Sequence, residues 1–277
     1  MHQGLEITGT SSTELSVAFA GLVPEAAAPV LVLVHGFTQS GAAWHPLCPL
    51  LGDHLQLVLP DAPGHGGSAV VEASLWATAD LLARTVPRQR NPAAWAGYSM
   101  GGRMALHVAL AHPRSVARLA LISATAGIED DAEREARKAA DLAMAERVLE
   151  IGVDEFLAEW LAQPLFASLA ATPADVRARR ANTASGLASS LRNAGTGSQQ
   201  SLWPRLAELR ERALPVLLIA GELDPKYCDL AERMASAIGS SARLFIVPGA
   251  GHACHLERPR EVAAALSTFS APPSPSK

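Results

Sequence analysis

The chain has 277 residues, 49% of them hydrophobic, with a formal net charge of −4. That apolar share is enough for a core and excludes global disorder, while the charge and the lack of any long basic run exclude nucleic acid as a partner. No apolar stretch reaches the roughly 20 residues that cross a bilayer, so no membrane span is expected.

The opening residues, Met1-His2-Gln3-Gly4-Leu5-Glu6, show no basic region followed by an apolar one, so no secretion signal is expected. Residues 15–19 read as an antiparallel edge strand. The run Val30-Leu31-Val32-Leu33-Val34 is continuous and largely β-branched, the pattern of a strand buried on both faces. Residues 55–59, 93–96, 116–122, 216–220 and 244–247 read the same way. Helical patterns at 44–51, 74–86, 101–111, 230–238 and 260–269 separate them. Strands alternating with helices imply parallel crossovers, hence an α/β fold with a mostly parallel, doubly wound sheet.

The alternation stops across residues 127–212, which are helical in pattern, rich in Ala and Arg, and punctuated by Pro164, Pro173 and Pro204. This segment is read as a helical cap inserted into a core formed by residues 1–126 and 213–270. The tail 271–277 is expected to be disordered. Cys48, Cys228 and Cys254 form no even framework and no Cys-x-x-Cys pair, which fits a reducing, cytoplasmic setting.

One stretch carries the chemistry. Residues 92–96 run as a short apolar strand into Gly97-Tyr98-Ser99-Met100-Gly101, and an apolar helical pattern follows. Gly-x-Ser-x-Gly at a strand-to-helix turn is a nucleophile elbow, and glycines flanking the serine remove side chains that so sharp a turn cannot hold. A bare match to this pattern is weak; the flanking strand and helix make it specific. A serine hydroxyl needs a neighbouring base. Asp224, in Gly221-Glu222-Leu223-Asp224-Pro225, follows one predicted strand, and His252, in Pro248-Gly249-Ala250-Gly251-His252, follows the next. Both fall at the carboxyl edge of the sheet, where Ser99 emerges and where open α/β sheets bind ligands. Taken singly, Asp224 also suits a helix N-cap and His252 an exposed loop. Their order and placement favour a Ser99–His252–Asp224 triad.

An oxyanion hole needs backbone N–H groups aimed at developing negative charge. Met100, at the start of the elbow helix, offers one; Phe37, in His35-Gly36-Phe37 after the Val30 strand, offers the second. His35 and His65 read as structural loop histidines. His107 and His112 fall on the helix behind the elbow, while His2, His45 and His54 show no partner. No His, Cys, Asp or Glu spacing matches a metal site and no phosphate-binding glycine loop appears, so neither metal nor cofactor is expected.

Arg103 lies one helical turn beyond Ser99. A neutral ester has no use for a guanidinium there, whereas a carboxylate does. The cap adds Arg134, Arg137 and Arg147 on one stretch and Arg177, Arg179 and Arg180 on another, and Lys226 sits beside Asp224. Much of this is expected as solvated helix surface, with Arg134 and Arg137 set against Glu133 and Glu135. The concentration of cations over Ser99 nevertheless points to a small anionic substrate with several carboxylates.

These motifs resemble the α/β-hydrolase family and, within it, the 2-succinyl-6-hydroxy-2,4-cyclohexadiene-1-carboxylate synthases of menaquinone biosynthesis. The resemblance spans nearly the whole chain. It rests on His35-Gly36-Phe37, Pro63-Gly64-His65-Gly66-Gly67-Ser68, Gly97-Tyr98-Ser99-Met100-Gly101-Gly102-Arg103, Trp160-Leu161-Ala162-Gln163-Pro164-Leu165-Phe166, Arg180-Ala181-Asn182, Gly221 to Tyr227 and Ala250-Gly251-His252. It implies a lyase that eliminates pyruvate from 2-succinyl-5-enolpyruvyl-6-hydroxy-3-cyclohexene-1-carboxylate. Ser99 would serve as the base, Arg103, Arg137 and Arg180 would bind carboxylates, and Tyr98, Trp160 and Lys226 would complete the pocket. A serine hydrolase of anionic esters or carbon–carbon bonds, or a hydrolase-like receptor, would use the same elements. A monomer or weak homo-oligomer is expected.

Overall fold

The computed structural model describes residues 13–20, 28–52, 54–90 and 92–270. The opening hexapeptide and the tail 271–277 lie outside the described residues. Seven strands form one sheet: β1 (Val17–Ala20), β2 (Val30–Val34), β3 (Gln56–Pro60), β4 (Ala93–Tyr98), β5 (Val116–Ile122), β6 (Val216–Gly221) and β7 (Ala242–Val247), in the order β1-β3-β2-β4-β5-β6-β7. Only β1 runs antiparallel, pairing Val17 with Pro60 at the sheet edge. The remaining pairs are parallel. The helices are α1 (Cys48–Leu51), α2 (Leu75–Ala83), α3 (Met100–Ala111), α4 (Asp131–Leu161), α5 (Pro173–Arg180), α6 (Ala184–Ala194), α7 (Leu206–Glu211), α8 (Pro225–Ile238), α9 (Cys254–Glu257) and α10 (Pro259–Ser270).

The alternation inside β2 explains the two-sided core. Val30, Val32 and Val34 face a cluster with Leu75, Ala79 and Leu82 of α2 and Met104, Ala105 and Val108 of α3. Leu31 and Leu33 face the opposite cluster, with Leu47, Leu51 of α1, and Val262 and Leu266 of α10. Successive side chains of a strand point to opposite faces, so an unbroken apolar run needs cover on both. The helix expected at 44–51 is two pieces, a 3₁₀ turn at Gly41–Trp44 and the single turn of α1, with Pro46 between them.

The chain leaves the sheet after β5 and returns at β6. In between, α4 runs for 31 residues with a break at Gly152, whose φ of 78° ends one helical segment and starts another. Ala145, Val148 and Phe156 of α4 pack on Leu187, Ala188 and Leu191 of α6, a third cluster above the sheet's carboxyl edge. The last helix of the segment behaves differently: Leu206 and Leu209 of α7 pack into the main core beside the sheet.

Candidate active site

Ser99 closes β4 and opens α3 with φ 51° and ψ −109°, a conformation that costs a side-chain-bearing residue energy and persists only under constraint. The constraint is visible. A Cβ on Gly97 would run into the Gly101 carbonyl, and one on Gly101 into the Val34 carbonyl. The elbow is thereby wedged between two strands, and the Ser99 N–H is tied to the Ile122 carbonyl at 2.8 Å.

Asp224 ends the loop after β6 and does two jobs. Its Oδ1 accepts from the Tyr227 N–H at 3.3 Å, capping α8. Its Oδ2 accepts from Nδ1 of His252 at 2.7 Å. With the Nδ1 proton so committed, Nε2 of His252 is free to accept from the Ser99 hydroxyl at 3.1 Å. The His252 loop is pinned from below, where Ser123 at the end of β5 donates its hydroxyl to the His252 carbonyl at 2.8 Å. Among the described residues, the Phe37 and Met100 N–H groups have no acceptor, and both residues line the same cavity as Ser99.

That cavity has a volume of about 350 Å³. Its floor is Ser99, Met100, Arg103, His252 and Tyr227, and its roof is Arg137, Met144, Trp160, Phe166 and Arg179 from the inserted helices. Arg103 is 6% exposed, and no carboxylate lies within ion-pair range among the described residues. Its Nη1 makes only long contacts of 3.4 Å to the Gly195 carbonyl and to Oε1 of Gln199. Burial pulls its pKa down to about 10, with the Asp141 charge opposing the shift in part.

The model of the alpha/beta hydrolase family matches residues 31–265. An Enterobacter sp. (strain 638) protein named 2-succinyl-6-hydroxy-2,4-cyclohexadiene-1-carboxylate synthase is 33% identical over 243 residues, covering 86% of this chain and 90% of its own. The chain belongs to the α/β-hydrolase family, among these synthases. A Bacillus subtilis (strain 168) protein that carries the same name provisionally is 37% identical over 275 residues, covering 96% of this chain and 97% of its own. The solved structure of MenH from S. aureus superposes with a TM-score of 0.83 at 30% identity, covering 91% of this chain and 97% of its own. A thermophilic esterase from Thermogutta terrifontis shares the fold at a TM-score of 0.77 and 26% identity, covering 97% of this chain and 98% of its own.

Against the synthase motifs, Tyr98, Trp160, Lys226, Arg103 and Arg137 all line the cavity. Arg180 does not. Its side chain is 54% exposed and pairs with Asp154 at 3.0 Å, outside the pocket. The adjacent Arg179 takes the buried place, 2% exposed and lining the cavity. Helix phase decides between them: Arg179 lies four residues after Asp175, on the same helical face, and its Nε donates to that carboxylate at 2.9 Å. The spacing of Asp175 and Arg179 was the available signal. The pairing of Arg134 and Arg137 with Glu133 and Glu135 is also corrected. Arg134 bonds Asp131 at 2.6 Å, and Arg137 donates Nε to Asp141 at 2.7 Å. Glu133 and Glu135 flank Arg134 directly and point away from it, while Arg137 takes the buried carboxylate one turn after it, Asp141, over Glu133 one turn before. Arg147 is tied to Glu150 and Glu159 on the surface.

Two further residues, Asp141 and Tyr227, complete the site. Asp141 is buried, holding Arg137 with Oδ1 and the Gly197 N–H with Oδ2 at 2.8 Å. The Tyr227 ring meets His252 edge-on at 4.4 Å. The indole N–H of Trp160 is buried without an acceptor among the described residues.

Four other histidines, His35, His65, His107 and His112, hold structure around the site. Nε2 of His35 accepts from the Ala62 N–H at 2.9 Å and Nε2 of His65 from the Thr38 N–H at 3.2 Å. Both rings are therefore neutral, with Nδ1 protons given to the carbonyls of Gly36 and Pro63. Burial pulls their pKa values down to about 4 and about 3. His107 gives Nδ1–H to the Arg103 carbonyl at 2.7 Å, and burial takes it to about 4. His112 pairs with Asp80 at 2.7 Å.

Proposed function

We propose that this protein is a lyase that eliminates pyruvate from 2-succinyl-5-enolpyruvyl-6-hydroxy-3-cyclohexene-1-carboxylate, giving 2-succinyl-6-hydroxy-2,4-cyclohexadiene-1-carboxylate in menaquinone biosynthesis. The relatives' names support the reaction. The observation that carries it is Arg103: a buried guanidinium with no ion pair among the described residues, in the cavity of a complete Ser99–His252–Asp224 array. Such a group is a ready partner for an anionic substrate. A hydrolase of neutral esters has no such need.

The chemistry uses hydrolase parts for a proton transfer. Ser99 passes its hydroxyl proton to Nε2 of His252 and takes the proton from the carbon next to the succinyl ketone. Asp224 stabilises the imidazolium that results. The ketone oxygen becomes an enolate, met by the N–H groups of Phe37 and Met100. As the carbonyl re-forms, the new ring double bond appears, the carbon–oxygen bond to the enolpyruvyl group breaks, and His252 returns its proton to the departing pyruvate. Arg103, Arg137 and Arg179 bind the carboxylates, with Lys226 at the mouth and Trp160 and Tyr98 shaping the walls. Within residues 127–212, helices α4 to α6 act as the cap that keeps water from the enolate. Three free thiols support a reducing, cytoplasmic setting, and the enzyme is read as a monomer or weak homo-oligomer.

The test is product identity. Incubated with the enolpyruvyl substrate, the protein is expected to release pyruvate and generate the diene absorbance in equal amounts, far faster than the spontaneous elimination. No acceleration, together with rapid turnover of an aryl ester, would replace this reading with a hydrolase.

A further inference from the structure

We infer that Asn182, with Arg179, is a positioning residue that fixes the oxyanion donor from the cap side, acting through Thr38. The inference rests on the reading of the Phe37 N–H as that donor.

Thr38 follows Phe37 directly and has φ 66°, a left-handed backbone that a β-branched residue adopts only when its surroundings enforce it. His65 holds it from the core, its Nε2 accepting from the Thr38 N–H at 3.2 Å, and two side chains hold it from the cap. Nη1 of Arg179 donates to Oγ1 of Thr38 at 2.5 Å, and Nδ2 of Asn182 donates to the Thr38 carbonyl at 2.7 Å. Nδ2 of Asn182 also donates to the Arg179 carbonyl at 2.9 Å, while its Oδ1 accepts from the Gly66 N–H at 2.8 Å. One amide therefore links the end of α5, the loop carrying His65, and the strained residue beside the oxyanion donor. Thr38, Arg179 and Asn182 are buried and Gly66 is half-buried, so water offers the Thr38 bonds no ready substitute.

On its other side the Gly36–Phe37 peptide is held by the core, its carbonyl accepting from Nδ1 of His35 at 2.8 Å and from the Gln39 N–H at 3.2 Å. Core and cap thus grip the donor from opposite ends. Remove the cap grip and Thr38 relaxes toward ordinary backbone, turning the Phe37 N–H away from the position where charge develops. The consequence is that cap docking and oxyanion geometry are one event: the arginine that reads a carboxylate also holds the loop that stabilises the enolate.

The experiment uses phenylmethylsulfonyl fluoride, a small neutral reagent with no carboxylate for the arginines. Its reaction forms a bond from Ser99 Oγ to sulfur and breaks the sulfur–fluorine bond, with the serine proton passing to His252. The full-length wild type, Asn182→Ala and Asn182→Asp are compared, with Thr38→Ser, which keeps the hydroxyl, as control. Asn182→Asp retains an acceptor for Gly66 and loses both donors, so it reports even where the alanine variant folds poorly. Both Asn182 variants are expected to be labelled about tenfold more slowly, a fraction of the loss typical for deleting an oxyanion donor. They should lose kcat on the enolpyruvyl substrate by a similar factor, with KM nearly unchanged and Thr38→Ser close to wild type. Wild-type labelling rates in Asn182→Asp, or a change confined to KM, would overturn the inference. A wild-type Ser99 that the reagent never labels would instead count against the catalytic reading of the triad.

Discussion

The N–H of Arg103 donates to the Ser99 carbonyl at 3.1 Å, so serine and guanidinium share the first turn of one helix. Neither can move without the other. Arg103→Ala is expected to lower kcat/KM on the tricarboxylate by roughly 10- to 100-fold, the scale of a lost charged hydrogen bond. Arg103→Lys should recover little, since an ammonium does not reproduce a planar fork. Steady-state kinetics of both variants, with sulfonyl fluoride labelling as a check that Ser99 stays intact, measure this.

Arg179 and Arg180 should separate cleanly. Arg180 is exposed and held by Asp154, so Arg180→Ala should leave kcat/KM within about twofold, as expected for an exposed ion pair. Arg179→Ala removes a buried donor from the cavity and from Thr38, and should lower both substrate affinity and turnover. Equal effects of the two substitutions would mean that the sequence motif, not the helix phase, marks the binding arginine.

Asp141 should act through Arg137. Asp141→Asn frees the Arg137 guanidinium from its 2.7 Å tether, and KM should rise severalfold with kcat little changed. In an Arg137→Ala background the same change should have no further effect on KM. A double-mutant cycle in which the two effects simply add would show that Asp141 serves only the Gly197 turn.

Acid should destabilise the fold early. His35, His65 and His107 are held near 4, 3 and 4 by burial, against 6.5 when unfolded. Below about 6.5 the unfolded chain takes up protons that the folded chain refuses, so stability present in full above that value is lost as pH falls toward 4. Each ring contributes a slope of at most about 1.4 kcal/mol per pH unit. Urea unfolding from about pH 7 to pH 5 should show this decline, and His107→Gln should make it shallower. An unchanged slope would mean that the ring is charged in the fold.

The sheet was legible because its strands are short, apolar and separated by helical patterns; six parallel elements and one antiparallel edge follow from that alternation. The triad was legible because strand ends carry it. The inserted helices were harder. Nothing local distinguishes Arg179 from Arg180 except the carboxylate one turn earlier, and the break of α4 at Gly152 depends on a single glycine in an otherwise helical run. That α7 packs on the sheet follows from where Leu206 and Leu209 land in space, which no periodicity states. Likewise, Asp141 reads as one acid among many until the loop at Gly197 folds onto it.

The most direct measurement is single-turnover pyruvate release from substrate deuterated at the carbon beside the succinyl ketone, followed together with the intact mass of the protein. If Ser99 removes that hydrogen, release slows severalfold on deuteration and no mass is added to the chain. Equal rates for the two isotopic substrates, with an adduct on Ser99, would show that the serine attacks a carbonyl instead.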